Sequence, residues 1–83
     1  MPLFMDEHIV EPGVAFDDVA KAHLADLHTQ GKYDVSYLRY WVDSSAGRIF
    51  CLVEAPSADA ANVVHKEAHG LVAGRIYEVR EGS

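Results

Sequence analysis

The sequence is poor in three features that would otherwise define its class. It has one cysteine among 83 residues, so no disulfide can form within the chain. It has 7 Lys and Arg residues against 13 Asp and Glu residues, giving a formal net charge of -6. This balance argues against nucleic acid as a partner, because phosphate binding needs a clustered basic surface. The sequence also lacks an apolar run of the roughly 18–20 residues needed to cross a bilayer, so we expect no contact with a membrane.

The rest of the composition is that of a small globular protein. Hydrophobic residues make up 49% of the chain and charged residues 24%, which is not the composition of a disordered protein. The length and the absence of repeats or linkers predict a single domain over residues 1–83. The first residues show no basic segment followed by a long apolar one, so we expect no secretory signal and a cytoplasmic protein. In that reducing compartment Cys51 stays a thiol.

The spacing of hydrophobic residues and turn signals predicts the order β-α-β-β-α-β. The first strand starts at Leu3 and runs on to His8, and the other elements cover residues 16–30, 35–42, 48–54, 58–69 and 75–80. This order is typical of the α+β ferredoxin-like fold. Right-handed crossovers then place both helices on one face of a four-stranded antiparallel sheet and leave the other face uncovered by its own chain.

The predicted hairpin indicates what the uncovered face carries. If Asp43 pairs with Arg48, Leu38 faces Val53 beneath the helices. The opposite face then holds large and partly charged side chains: Tyr37, Arg39, Trp41, Phe50, Leu52 and Glu54. An exposed patch of this kind usually marks an interaction surface, so we expect a homodimer packed sheet to sheet. The alternative is that loops partly cover these aromatic side chains.

The five histidines are the unusual part of the composition, and two of them, His23 and His65, fall at inward positions of the predicted helices. On the first helix, Phe16, Ala20, His23 and Leu27 form one apolar stripe, with Asp26 on its margin. His28 points away from that stripe. A single inward histidine is more often a hydrogen-bonded core residue than a metal ligand, so His23 alone does not indicate a metal site.

The second helix and two strands add further candidate ligands. His65 lies on the face shared by Ala61, Val64, Ala68 and Val72, and His69 follows one turn later, so both rings can reach one metal ion. In the predicted topology His8 arrives at the same end of the sheet, and Cys51 points into the helix–sheet layer with His23. Imidazoles with a thiolate and carboxylates suit Ni, Zn, Cu or Co rather than Mg or Ca. The residues together therefore favour a site for divalent transition-metal ions.

Five segments of the chain resemble a family of small bacterial nickel-binding proteins, part of a larger group defined only as a domain of unknown function. The segments are MPLFMDEH at 1–8, AHLADL at 22–27, YLRYW at 37–41, FCLVEAP at 50–56 and VHKEAHGL at 64–71. The resemblance implies a ferredoxin-like fold, a homodimer and nickel binding without an established catalytic activity. Position by position, it favours His8, His23, Asp26, His65 and His69 as the residues relevant to metal.

Three functions follow as hypotheses. The leading one is a non-enzymatic protein that binds and sequesters nickel through His8, His23, Asp26, Cys51, His65 and His69. The second is a small-molecule binder or monooxygenase-like dimeric barrel, in which Tyr37, Arg39, Trp41 and Glu54 line a cavity between two sheets and His8 acts as a base. The third is an interaction module whose histidines only hydrogen-bond within the core.

Overall fold

The computed structural model describes residues 1–82, and its elements follow the predicted order. The strands are β1 (Leu3–Ile9), β2 (Ser36–Asp43), β3 (Arg48–Glu54) and β4 (Arg75–Val79), and the helices are α1 (Phe16–Thr29) and α2 (Ala58–Ala68). A short 3₁₀ helix at Gln30–Tyr33 extends α1 before the chain enters β2.

The four strands form one antiparallel sheet in the order β2-β3-β1-β4. One face of the sheet packs against both helices: Phe4, Ile49 and Val53 from the strands meet Val19 and Val64 from the helices in the buried core. The expected ferredoxin-like α+β fold is therefore confirmed. Because β1 lies in the middle of the sheet, its inward side chains sit beneath the seam between the two helices.

The hairpin confirms the predicted register near its turn and corrects it further along. Asp43 pairs with Arg48, as expected, and Tyr40 pairs with Cys51, but Val53 pairs with Tyr37 instead of Leu38. A β-bulge between Tyr37 and Arg39 inserts one extra residue, and such a shift moves the preceding side chain to the other face. The prediction for Tyr37 and Leu38 was therefore wrong: Tyr37 is buried beneath the helices, and Leu38 is 45% exposed.

The buried side of α1 also differs from the predicted stripe. Phe16 and Leu27 are exposed, whereas Val19 and Asp26 are the buried residues of this helix. The helix is thus rotated so that Asp26, expected at the margin, points inward. On α2, Ala61, Val64 and His65 are buried as expected. Val72 lies beyond the end of α2 and is half exposed, so it does not share that face.

Local contacts fix where α2 and the β1–α1 loop lie. The Ser57 side chain accepts a hydrogen bond from the Ala60 N–H and caps the start of α2. At the other end, Gly70 adopts a positive φ of 82° and its N–H donates to the His65 carbonyl. Gly47 allows the β1–α1 loop to dock on the hairpin, because a Cβ there would lie 1.8 Å from the Val10 oxygen. In the described part of the chain, no helix is long and apolar enough to span a membrane.

Candidate metal centre

The middle strand β1 brings two polar side chains under the helices. Its residues alternate between the two faces of the sheet, so Phe4, Asp6 and His8 all point inward. Asp6 has no exposed surface, and His8 is 6% exposed. A carboxylate buried this completely needs partners that offset its lost hydration.

His65 supplies such a partner from the last turn of α2. Its Nε2 lies 2.8 Å from Asp6 Oδ2, and its Nδ1 lies 3.0 Å from Asp26 Oδ1 on α1. The ring is 1% exposed and also packs against Tyr37, with the two ring centroids 4.5 Å apart. One imidazole therefore connects β1, α1 and α2 in the interior of the fold.

Four buried residues could hold a metal ion together: Asp6, His8, Cys51 and His65. In this inner group the His8 and His65 Nε2 atoms are 3.3 Å apart, and His8 Nε2 is 3.3 Å from Asp6 Oδ1. Asp6 Oδ1 is buried and has no aligned hydrogen-bond donor. Buried polar atoms almost always form a hydrogen bond. Asp6 Oδ1 forms none, so it is free to bind an ion held by the neighbouring histidine nitrogens.

A second group of donors shares His65. It consists of Asp26, His65 and His69, and His69 Nε2 lies 3.0 Å from Asp26 Oδ1 without the alignment of a hydrogen bond. The His69 Nδ1 accepts a hydrogen bond from the Leu71 N–H, so a neutral His69 ring carries its proton on Nε2. To bind metal through Nε2, His69 would have to give up that contact. The outer group is therefore less prepared for an ion than the inner group.

Burial and the neighbouring charges have opposite effects on the pKa values of Asp6 and His65. Burial alone would raise the pKa of Asp6, but the hydrogen bond from His65 and the nearby ring of His8 outweigh it and hold this pKa well below its usual range. Burial alone would lower the pKa of His65, but hydrogen bonds to Asp26 and Asp6 raise it to about 9. Without metal at neutral pH, His65 is thus an imidazolium between two carboxylates.

Cys51 contributes a protonated thiol in the metal-free protein. Its burial, together with the negative charge of Asp6, raises the pKa of Cys51 far above the usual value. A metal ion bound in the inner group would have to displace that proton if the sulfur is to act as a ligand.

The structure brings together five of the six predicted site residues. His8, Cys51 and His65 lie in the inner group, and Asp26 and His69 join His65 in the outer group. His23 belongs to neither group: it is partly buried on α1 and packs against Tyr40, with ring centroids 4.6 Å apart. Burial lowers the pKa of His23. His28, for which no role was expected, is exposed.

Two residues of the cluster were missed from the sequence. Asp6 lies two residues before His8 on the same face of β1, and that alternation was the available signal. Tyr37 was placed on the open face, but its hydroxyl donates to the Ala61 carbonyl at 2.9 Å and lies 3.3 Å from Asp6 Oδ2. Only the bulge after Tyr37 brings it there, and the sequence gives no sign of that bulge.

Comparisons with known proteins identify the family and support the fold. The family model described as "Nickel responsive protein SCO4226-like" matches residues 4–79. The crystal structure of SCO4226 from Streptomyces coelicolor A3(2) superposes with a TM-score of 0.90 at 38% sequence identity, over 98% of this chain and 99% of the other. No curated protein matches the sequence significantly. With a family match over almost its whole length and a related structure of the same fold, the chain belongs to the SCO4226-like nickel responsive proteins.

Proposed function

We propose that this protein is a non-enzymatic nickel-binding protein that sequesters the ion in its buried inner group. The observation that carries the proposal is the convergence of His8 Nε2, His65 Nε2 and the Asp6 carboxylate, with Asp6 Oδ1 left without a partner. A nickel-responsive family agrees with the choice of metal. Zn, Cu or Co would suit the same donors, since selectivity among these ions depends on geometry and supply.

The spacing of the donors fits direct coordination. Two ligands bound at about 2.1 Å and at right angles are roughly 3.0 Å apart. The three contacts among Asp6, His8 and His65 measure 2.8, 3.3 and 3.3 Å. Hence an ion could enter this triangle with small movements of the side chains, and Cys51 offers a soft fourth donor.

The metal-free state explains how the same residues stay folded without an ion. The positive charge of His65 lies between the carboxylates of Asp6 and Asp26 and offsets their burial. A divalent ion would replace the His65 proton on Nε2 and supply the compensating charge itself. We therefore expect nickel binding to release protons.

The proposal includes a homodimer formed through the open face of the sheet. Trp41 is 48% exposed there, Leu38 is exposed on the same strand, and Tyr77 is exposed on the opposite edge strand β4. A groove of about 630 Å³ runs over this face and is lined by Arg39, Trp41 and neighbouring apolar side chains. A chain of 83 residues buries little surface on its own, and a second copy would cover this patch.

The setting we propose is the cytoplasm, where thiols stay reduced. The unpaired, buried Cys51 agrees with that setting. The alternative function, a cavity between two sheets with His8 as base, loses support from the geometry. His8 and Tyr37 lie on the helix side of the sheet, so of the residues expected around that cavity only Arg39 and Trp41 line the groove.

The test is a calorimetric titration with Ni²⁺ of the unaltered protein, the His65→Ala/His69→Ala variant and the His28→Ala variant. His28 is an exposed histidine on α1 and serves as the matched control. The double variant should lose nickel affinity by roughly a hundredfold or more, because even the loss of a supporting residue around a metal costs ten- to a hundredfold. Unchanged affinity and stoichiometry in the double variant would show that this cluster does not bind nickel.

A further inference from the structure

A cavity of about 50 Å³ lies beside the donor groups, between α1 and the sheet. His8, Cys51, His65 and His69 border it on one side. One buried water needs roughly 10–15 Å³ of such space, so the cavity has room for a few waters or for one small molecule. The donors of both groups therefore face a space that the protein itself does not fill.

The rest of the cavity wall presents mostly apolar surface, although Asp18, His23, Asp26 and Tyr40 also border it. Val14, Val19, Ala22 and Leu71 line it, and Leu71 is half exposed, which places the mouth of the cavity where the α2–β4 connection passes α1. An ion held by the inner group would thus have protein donors on one side and an apolar wall on the other. In metal sites with an incomplete protein shell, the remaining position is taken by water or an exogenous ligand.

We propose that this cavity is a binding site for one small monodentate ligand that coordinates the bound metal ion. The inference rests on the proposed function, because the ligand needs the ion. The apolar wall sets the chemical class: a compact donor of two or three atoms, such as azide, can place its free end against Val19 and Ala22. An oxyanion such as sulfate needs hydrogen bonds around all its oxygens, and this wall presents little polar surface to donate them.

The test uses Co²⁺, whose visible spectrum changes with its ligands, in place of nickel. The unaltered protein loaded with Co²⁺ is titrated with azide and, separately, with sulfate. The Ala22→Leu variant fills the cavity from α1 with a residue that favours helix, and Lys21→Leu, an exposed position on the same helix, is the control. Binding of Co²⁺ itself is measured by calorimetry in all three proteins.

We expect a saturable spectral change with azide and none with sulfate in the unaltered protein and in Lys21→Leu. In Ala22→Leu the azide affinity should fall about tenfold or more, because overfilling a packed space is costly, while Co²⁺ affinity changes by less than about threefold. Ala22→Val is a milder filling variant that should give an intermediate loss if Ala22→Leu does not fold.

Two results would overturn the inference while leaving the proposed function intact. One is Co²⁺ binding without any azide response in the unaltered protein. The other is an azide response of equal affinity in the folded filling variants, which would mean that azide reaches the ion from elsewhere. If Co²⁺ and Ni²⁺ do not bind at all, the proposed function fails first, and calorimetry shows this before azide is added.

Discussion

Nε2 of His65 lies 2.8 Å from Oδ2 of Asp6, and this contact joins residues 59 positions apart in the chain. The other nitrogen of the same ring lies 3.0 Å from Asp26 Oδ1. Because both carboxylates are buried, the charged imidazole is the group that makes their burial tolerable. The candidate ligands are therefore also the polar part of the core, and substitutions among them should affect stability as well as metal binding.

Replacing Asp6 by Asn should destabilise the metal-free protein by about 3 kcal/mol, the usual cost of breaking a buried ion pair on one side. The shape of the side chain is kept, but the amide cannot offset the charge of His65. Urea unfolding in the presence of a chelator measures the change, with Asp17→Asn at an exposed position of α1 as the control. Equal midpoints for the two variants would show that the Asp6–His65 pair contributes no stability.

The stability of the metal-free protein should fall as the pH rises above neutrality. The pKa of His65 in the folded protein, about 9, lies above the ordinary histidine value of 6.5. Folding therefore favours the protonated ring, and this stabilisation is complete below about pH 6.5 and lost as the pH rises through 9. The shift corresponds to roughly 3 kcal/mol at 1.36 kcal/mol per pKa unit.

The measurement is urea unfolding at pH 6.5, 8 and 9.5 with a chelator present. His65→Gln should remove most of the pH dependence, because glutamine has no proton to lose in this range. His23→Gln is the matched control, since burial lowers the pKa of His23 and its contribution changes only below pH 6.5. A slope that persists in His65→Gln would assign the pH dependence to another group.

The hydroxyl of Tyr37 should support both stability and metal binding. It donates to the Ala61 carbonyl and lies within 3.3 Å of Asp6 Oδ2, so it holds the carboxylate against α2. Tyr37→Phe should cost about 1 kcal/mol of unfolding free energy, as for a typical hydrogen bond. Nickel affinity should drop roughly tenfold, the lower end of the effect of supporting residues.

Tyr77→Phe on the exposed side of β4 is the control for the loss of a phenolic hydroxyl. Calorimetry and urea unfolding on the two variants separate the two effects. If Tyr37→Phe loses stability but binds nickel as tightly as the unaltered protein, the Tyr37 hydroxyl contributes to stability only. A loss of affinity in Tyr77→Phe of the same size would exclude a specific role for the Tyr37 contact.

The sequence predicts the path of the backbone better than the polar interior. The element order and the pairing of Asp43 with Arg48 follow from local patterns and are confirmed. The bulge after Tyr37 could not be predicted from local patterns. It allows the Tyr37 hydroxyl to donate a hydrogen bond to the Ala61 carbonyl, and Ala61 is on a helix that comes later in the chain. Register is set by which face is buried, and a buried tyrosine with a distant partner overrides the simple alternation.

The candidate site was predicted in part for a similar reason. The inward position of His65 on α2 was predicted from spacing, and the end of the sheet where His8 lies was predicted from the topology. These two residues do meet. Asp6 and Asp26 were harder to place, because carboxylates are rarely buried unless they are paired. Their burial depends on His65, so it becomes visible only when all three elements are assembled. The exposed Phe16 reflects the same rotation of α1, because the inward face of this helix carries Val19 and Asp26.

The open face of the sheet should mediate self-association. Trp41 is 48% exposed on the edge strand β2, on a face that also carries Leu38, and large aromatic residues often contribute most to the binding energy of interfaces. Trp41→Glu would place a charge between the paired sheets, and we expect the dimer dissociation constant to rise at least about a hundredfold.

Sedimentation velocity over a range of protein concentrations measures this dissociation constant. The matched control is Leu24→Glu, because Leu24 is an exposed apolar residue on α1, on the helix side of the molecule. Only Trp41→Glu should shift the protein towards the monomer, and both variants should keep the inner donor group because neither position touches it. A monomer at all concentrations in the unaltered protein, or equal dissociation of both variants, would refute the sheet-to-sheet dimer.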